Sequence, residues 1–227
     1  LNMIKNKKIL FLGHKPPPLH GASLVGEQII KLLLSTENVR LKSINVNIFF
    51  SKSNNIFFKP FYLIKFPILI FNLIVKLVFY RPKIIYMTPS VNSYGYYRDL
   101  SLFFIIYCYK KFFKSKVFCH IHMRPLILKE SALAKSSWLM FMSQFELILL
   151  SKYLHKEFLK LLPKDAIVHV LPNSTPAISY HLSASNKKIV LFIGHITHSK
   201  GAFRLLELSN RFNESVKFIF AGPFISD

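Results

Sequence analysis

Lys187-Lys188-Ile-Val-Leu-Phe-Ile-Gly194-His195, near the end of the chain, nearly repeats Lys7-Lys8-Ile-Leu-Phe-Leu-Gly13-His14 near its start. Each copy is a pair of lysines, a short apolar run and a glycine-containing loop that leads into a helical pattern. An apolar run without polar alternation is typical of a strand that is buried on both faces, as in a parallel sheet covered by helices. The near-repeat therefore predicts two doubly wound domains, each beginning with its own first strand.

Apolar runs and helical patterns alternate along the rest of the chain. The predicted strands are Lys8–Leu12, Lys83–Met87, Lys116–His120, Ile167–Leu171, Lys188–Ile193 and Lys217–Ala221. The predicted helices are Ser23–Leu34, Pro67–Phe79, Arg98–Phe113, Ser151–Leu161 and Ala202–Arg211. This alternation predicts an α/β fold with a mostly parallel sheet.

The stretch Pro172–Ser185 contains Pro, Ser, Asn and Thr without a periodic apolar pattern, which is typical of a linker. We expect a first Rossmann-like domain over residues 1–175, a linker over 176–186 and the start of a second domain over 187–227. Only 39 positions remain from residue 189 onward, whereas a doubly wound domain needs on the order of 100 residues. The second domain is therefore expected to be incomplete.

The chain carries a formal net charge of +21, and this charge is unevenly spread. From Asn38 to Arg98 there is no Asp or Glu, while nine Lys and Arg residues occur there. Such a surface attracts anionic lipid head groups or nucleic acid. A compositional bias toward lysine explains part of the charge but not the missing carboxylates.

Apolar residues make up 52% of the chain, and the strongest candidate for a membrane segment is Phe61–Tyr80. Its longest uncharged run, Phe66–Val75, has ten residues, against roughly 20 needed to span a bilayer. Lys65, Asn72 and Lys76 fall on one side of a helix, which predicts a buried or interfacial helix rather than a span. An ordinary core helix remains the alternative.

No signal-peptide pattern opens the sequence. Cys108 and Cys119 are separated and lie in apolar runs, which is typical of reduced cysteines in a cytoplasmic protein. These features predict a cytoplasmic location.

The loop after the first predicted strand ends at Gly21, where a helix begins. A glycine there lets a ligand approach the backbone, and the free N–H groups of the next turn favour a phosphate. The segment is neither G-x-G-x-x-G nor a P-loop, so it does not indicate NAD or ATP. A purely structural turn is the alternative.

The corresponding loop of the second copy, Gly194–Gly201, contains His195 and Lys200 and leads into another helix. A cation at a helix N-terminus interacts unfavourably with the helix dipole. Lys200 would nevertheless be favourable there if its ammonium and the helix N-terminus both face an anionic ligand such as a diphosphate. Otherwise the Lys200 side chain extends into solvent.

His120 and His122 lie two residues apart at the end of the predicted strand Lys116–His120, so both point to one face of the sheet. A histidine at a strand end of this fold is a candidate general base or hydrogen-bond donor. A core role fits His120 better than His122. Zinc would need further ligands at suitable spacing and none is evident, and no D-x-D motif is present, so no metal site is predicted.

In this order and spacing, the segments resemble the retaining GT-B glycosyltransferases of the "group 1" or GT4 family. The resemblance covers nearly the whole chain. It rests on five segments: Pro16-Pro-Pro-Leu-His-Gly21-Ala-Ser23, Cys119-His-Ile-His122, Ile148-Leu-Leu-Ser151, Leu171-Pro172-Asn173 and Phe192-Ile-Gly194-His195-Ile-Thr-His-Ser-Lys200-Gly201.

The resemblance implies a role for each matched residue. Gly21 would lie in the loop that approaches the donor diphosphate, His122 would be the active-site histidine, and His195 and Lys200 would hold the phosphates. His195 stands where the family usually has arginine, which weakens one of the two cations. The sequence also ends before the family's Glu-x7-Glu segment.

The activity implied is transfer of a sugar from a nucleotide-sugar donor, with retained configuration and no metal or other cofactor. The acceptor would be a glycan, expected to be lipid-linked, used in cell-surface polysaccharide or lipopolysaccharide synthesis. It would be bound by the first domain at the inner face of an anionic membrane. Tyr94, Tyr96 and Tyr97, in a predicted strand-end loop, could stack on sugar, and Arg124 is a further candidate; ordinary loop packing is the alternative for the tyrosines.

Two other functions remain open. The chain could be a membrane- or acceptor-binding protein that needs a partner chain for the donor site, which turnover of a nucleotide sugar by the purified chain would exclude. A basic nucleic-acid-binding protein is not expected, because the usual recognition motifs are missing and the basic residues are interleaved with apolar runs. Salt-sensitive nucleic-acid binding stronger than binding to anionic vesicles would favour it.

Overall fold

The structure is a computed structural model that describes residues 7–17, 21–46, 59–90, 93–122, 132–173, 188–212 and 216–224. The chain divides into two compact units, Leu1–Ser174 and Thr175–Asp227. The predicted linker at 176–186 and the acceptor candidate Arg124 lie outside the described residues.

The first unit contains a sheet of six parallel strands in the order β2-β1-β3-β4-β5-β6. The strands are β1 (Lys8–Gly13), β2 (Arg40–Asn45), β3 (Ile84–Met87), β4 (Lys116–Ile121), β5 (Glu146–Leu149) and β6 (Val168–Val170). Five helices of this unit are α1 (Gly21–Leu34), α2 (Lys59–Val75), α3 (Ser93–Phe113), α4 (Ala132–Met142) and α5 (Lys152–Leu159). Because the strands are parallel, their carboxyl ends meet at one edge of the sheet, where this architecture binds ligands.

The two faces of the sheet are covered differently. Leu10 and Leu12 of β1 point into the large core, which α2, α3, α4 and α5 close. Phe11, between them, points to the other face, where it packs with Tyr86 and residues of α1. This strict alternation follows from the two-residue period of a strand.

The sequence pattern did not predict three of these elements. In β2 burial alternates along much of the strand, as expected for an edge strand, so it lacks the continuous apolar run that marks the other strands. The strand β5 has four residues, and α4 has a weak apolar period. Pairing with neighbouring strands and packing on the core stabilise these segments more than their local pattern does.

Helix α2 is longer than predicted and begins before Pro67 rather than at it. It continues directly into one π-helical turn, Lys76–Tyr80, which ends at Arg81 in a left-handed conformation. Among the described helices, none is both long enough and apolar enough to cross a membrane.

The tyrosine segment was wrongly predicted to be a loop. Helix α3 begins at Ser93, so Tyr94, Tyr96 and Tyr97 all lie in its first turns. Tyr96 is fully buried, and its hydroxyl bonds that of Ser137 on α4. Since its ring is enclosed by the core, Tyr96 is not available to stack on a sugar.

The second unit contains two parallel strands, β7 (Lys188–Ile193) and β8 (Val216–Ala221), connected through α6 (Ala202–Ser209). Each strand is followed by a glycine with positive φ, Gly194 after β7 and Gly222 after β8. A Cβ on Gly222 would clash with the carbonyl oxygen of Gly194. The two glycines therefore allow the strand ends to approach closely, at the edge from which the predicted phosphate loop leaves β7.

Candidate functional site

In the first unit the candidate site begins at the carboxyl ends of β1, β3 and β4. Gly13, Thr88 and His122 stand at or immediately after the ends of these neighbouring strands. A Cβ on Gly13 would clash with the Thr88 hydroxyl, which shows how closely the backbone of β1 approaches its neighbour here. The strand-end position predicted for His122 is confirmed.

His120 is a buried member of this edge. Its Nδ1 is hydrogen-bonded to the Tyr86 hydroxyl, and Tyr86 in turn stacks on Phe11. Burial raises the pKa of the Tyr86 hydroxyl far above its usual range, so this hydroxyl keeps its proton. A neutral His120 ring carries one proton, and its Nδ1 either accepts from the Tyr86 hydroxyl or donates to it according to which nitrogen holds that proton.

The His120 Nε2 atom is buried and has no hydrogen-bond partner among the described residues. The ring lines a small cavity, about 140 Å³, between α1 and the end of β6, together with Gln28, Ile29 and Asn173. The core role expected for His120 is supported by its burial, at 1% exposure.

The His122 ring packs against the His120 ring, with 4.1 Å between centroids. Burial, and secondarily the charge of His14, lower the pKa of His122 to about 4. Burial, and secondarily His122, lower the pKa of His120 to about 3. Both rings are therefore neutral at pH 7, and the His122 Nε2 is buried without a partner among the described residues. A neutral imidazole in this position can exchange hydrogen bonds with a polar ligand but supplies no positive charge.

Arg98 and Asp99 form a buried pair at the same edge, which the sequence pattern did not predict. The Arg98 Nε lies 2.6 Å from Asp99 Oδ1, and its guanidinium also donates to the Val46 carbonyl after β2 and to the Ser90 hydroxyl after β3. Asp99 Oδ2 accepts from the Ser90 backbone N–H. The pair thus fixes the loops after two strands. Two adjacent charges in the apolar sequence of α3 were the available signal.

Helix α1 packs tightly against the loop after β1. A Cβ on Gly26 would clash with the carbonyl oxygen of His14, whereas a Cβ on Gly21 would meet nothing within 4 Å. Gly21 is the first residue of α1 and is exposed. The open space around Gly21 is compatible with a ligand at the first turn, but the preceding residues 18–20 lie outside the described part.

In the second unit, Lys200 and His195 are both found in the loop between β7 and α6, and both are exposed. The Thr197 hydroxyl, which is buried, accepts a hydrogen bond from the Lys200 backbone N–H. Gly201 has φ 77° and precedes α6. The loop therefore places Lys200 two residues before the helix, as predicted, with its side chain toward solvent.

Within the described residues, no group of three or more His, Cys, Asp or Glu side chains could hold a metal ion. The histidines of the first unit lack a third ligand there, and the buried Asp99 is occupied by Arg98 and Ser90.

No protein-family model and no curated protein matches the chain. Among solved structures, it is similar to HepE (Alr3699) of Anabaena, crystallised in complex with UDP and glucose. The TM-score is 0.59 at 16% sequence identity, and the match covers 96% of this chain and 62% of that one. The chain thus spans less than two-thirds of this neighbour's length. The likeness concerns the fold alone, which is α/β of the GT-B type.

Proposed function

We propose that the chain takes part in retaining transfer of a sugar from a nucleotide-sugar donor to a glycan acceptor. The observation that carries the proposal is His122, whose buried, unpartnered Nε2 lies at the carboxyl edge of a GT-B type sheet, with no hydrogen-bond partner among the described residues. The neighbour's complex with UDP and glucose supports a donor of this class.

On the donor side, the leaving group is a nucleoside diphosphate, which gains negative charge as its bond to the anomeric carbon breaks. Lys200 and the free N–H groups at the start of α6 are suited to stabilise that charge. His195, exposed in the same loop, is the second proposed phosphate contact. Gly21, at the exposed start of α1 in the first unit, is also proposed as a phosphate contact, because the space around it is open.

We assign His122 a hydrogen-bonding role toward the donor sugar. With a pKa of about 4, its imidazole is a weak base at neutral pH and so is poorly suited to take a proton from an acceptor hydroxyl. It is well suited to orient a sugar hydroxyl, because a neutral ring both donates and accepts. In the transfer itself, the acceptor oxygen bonds to the anomeric carbon as the bond from that carbon to the diphosphate oxygen breaks, and the acceptor proton passes to the departing diphosphate.

The acceptor is proposed to be a lipid-linked glycan reached at the inner face of the membrane. The basic segment from Asn38 to Arg98 supports this, since it has no carboxylate. Arg124, Tyr94 and Tyr97 remain proposed acceptor contacts. Synthesis of a cell-surface polysaccharide or lipopolysaccharide is the process in which such an acceptor would be used.

The test is titration of the chain with UDP-glucose and a panel of other nucleotide sugars by calorimetry. We expect Lys200→Ala to weaken binding by at least about tenfold, because a charge-assisted contact contributes roughly 1.5–3 kcal/mol. Lys217→Ala, which removes a lysine on the exposed part of β8, is the matched control and should change the affinity by less than twofold. Equal affinities of the two variants would contradict the assignment of Lys200 as a phosphate contact.

The same titration distinguishes a contact of His122 with the sugar from a contact with the diphosphate. His122→Ala should weaken UDP-glucose while leaving UDP almost unchanged, because the histidine is assigned to the sugar and not to the diphosphate. In mixtures that show transfer, the same variant should lower kcat. A variant that retains both the preference for UDP-glucose over UDP and full turnover would contradict this role.

A further inference from the structure

Helix α2 is apolar on nearly every side. Leu69, Leu73 and Leu77, the last in the π-helical turn, are buried in the core. On the opposite side, Ile64, Ile68 and Phe71 are 62%, 58% and 69% exposed. Their spacing of i, i+4 and i+7 places them on one face of the helix, which we call the outer face of α2.

An outer face of this kind is unusual for a helix that borders water. A surface helix normally carries polar residues opposite its buried stripe, and a helix that is apolar all round is normally covered on every side. Phe79, in the π-helical turn that continues α2, is also mostly exposed. The described apolar surface is therefore contiguous along a helix rather than scattered singly, which is the pattern of an interaction surface.

Lysines lie beside this helix. Lys76 follows α2 directly and donates to Asn72 and to the Ser43 carbonyl on β2. The Lys15 ammonium donates to the Ser43 hydroxyl, and Lys42 is the preceding residue of the same strand. Burial, and then the charges of Lys42 and Lys15, lower the pKa of Lys76. These three cations are thus close enough to repel one another, and an anion brought beside them would relieve that repulsion.

The charge around α2 indicates which kind of partner this surface binds. No carboxylate occurs from Asn38 to Arg98, so this segment offers no acidic side chain to a basic partner. A second copy of the chain would bring a further net charge of +21 to the same surface, which opposes self-association. Exposed apolar residues beside cations match a surface that is apolar within and anionic at its boundary.

We propose that the outer face of α2 docks onto an anionic lipid bilayer, with Ile64, Ile68 and Phe71 entering the boundary of the acyl chains and Lys15, Lys42 and Lys76 lying among the headgroup phosphates. The docking face is apolar, and the lysines flank it. This inference rests on the membrane-side acceptor of the proposed function and adds the helix face that docks, which is separate from the donor site.

The experiment is flotation of the full chain with vesicles of phosphatidylcholine alone and of phosphatidylcholine mixed with phosphatidylglycerol. The test variant is Ile68→Gln/Phe71→Gln. The control is Leu32→Gln/Leu34→Gln, which removes two leucines that are 59% exposed on α1, over the opposite face of the sheet. Thermal unfolding of all variants checks that the fold is retained.

We expect the chain to bind anionic vesicles at least tenfold more strongly than neutral ones. The α2 variant should lose at least tenfold in partitioning, and the α1 control less than twofold. Lys42→Gln should weaken binding to anionic vesicles only. Lys76 is not used as the charge variant because it also bonds Asn72 and Ser43.

Insertion is tested directly with Phe71→Trp. The native Trp138 is fully buried in the core, so its emission should not respond to lipid, and a blue shift on anionic vesicles would report the introduced indole alone. Absence of vesicle binding, or equal losses in the α2 and α1 variants, would overturn the proposal. So would a vesicle-free dimer that Ile68→Gln/Phe71→Gln dissociates, because α2 would then be a self-association face.

The two proposals can fail separately. UDP-glucose titration of the α2 variant should match the unaltered chain, because the substituted residues lie on the outer face of a helix that covers the sheet. Vesicle binding without nucleotide binding would leave the docking surface standing and remove the glycosyltransferase assignment. Nucleotide binding without vesicle binding would support the donor site and overturn the docking surface.

Discussion

The two histidines at the end of β4 show how burial decides the chemistry of a residue. In water each imidazole titrates near pH 6.5, but here burial lowers the pKa of both, and a charge on His122 would lower that of His120 further. The Tyr86 hydroxyl also holds the His120 ring in place through Nδ1. His122 is consequently a neutral ring that packs against its neighbour.

The lowered pKa values predict that the chain loses stability as the pH falls. Above pH 6.5 the folded and unfolded chains hold these histidines in the same neutral state. Below it the unfolded chain binds protons that the folded chain excludes until about pH 4 for His122 and about pH 3 for His120. As the pH falls below 6.5, each histidine should therefore lower the free energy of unfolding by up to about 1.4 kcal/mol for each pH unit.

Urea unfolding between pH 5 and pH 7.5 measures this dependence. His120→Gln should reduce the slope below pH 6.5 by about half of the histidine contribution, whatever it does to the stability at the upper end of the range. His120→Asn, a second neutral replacement, should reduce the slope by the same amount. An unaltered slope in the His120→Gln variant would show that folding does not lower the pKa of His120.

At the scale of the element, α1 is positioned by a close approach rather than by its own apolar pattern. Gly26 allows the helix to pack directly on the His14 carbonyl, and Ser23, one turn earlier, is buried. This contact sets the distance between the start of α1 and the loop after β1. The start of the helix, at Gly21, stays open to solvent.

A matched pair of substitutions tests that arrangement. Gly26→Ala should lower the free energy of unfolding by about 1–3 kcal/mol, because the methyl group forces α1 away from the His14 carbonyl. Gly21→Ala adds the same methyl group in open space and should change stability by less than about 1 kcal/mol. Urea unfolding of both variants is the measurement, and equal losses would contradict the close packing. If Gly21 also faces the diphosphate, only nucleotide affinity should fall in Gly21→Ala.

At the scale of the whole molecule, the two units bury their apolar residues to very different extents. The first has a continuous core on one face of a six-stranded sheet. In the described part of the second, only Ala202 and Thr197 are buried. Ile193 of β7 is 76% exposed, and Ile189 and Leu191 are also open. Two strands and one helix do not enclose a core of their own.

The fragment 1–174 should therefore fold without the second unit, and the fragment 175–227 should not fold in isolation. Circular dichroism during urea unfolding would show a cooperative transition for the first fragment, with a stability close to that of the whole chain. The second should give a broad, non-cooperative change. A cooperative transition in the shorter fragment would contradict the burial difference.

The sequence by itself determined the fold class and the ends of the main strands, because a run buried on both faces must be apolar throughout. For this reason β1, β3 and β4 could be recognised, and with them the strand-end position of His122. The apolar run of β7 also predicted a strand correctly, but the burial expected for it was wrong, since most of its residues are exposed. The edge strand β2 and the short β5 could not be recognised, since their stability comes from neighbouring strands that are distant in sequence. The loop prediction for Tyr94–Tyr97 was wrong for a related reason, because packing on the core extends α3 through polar and glycine residues.

Only the tertiary structure decided the properties that depend on distant neighbours. The contact of His120 with Tyr86, the neutral state of His122 and the Arg98 bridge between two loops each join segments far apart in sequence. The exposed face of α2 is of the same kind, because an apolar helix shows no difference in sequence between the side that meets the core and the side that does not. The sequence shows which residues are apolar, whereas the tertiary structure determines which of these apolar residues are buried.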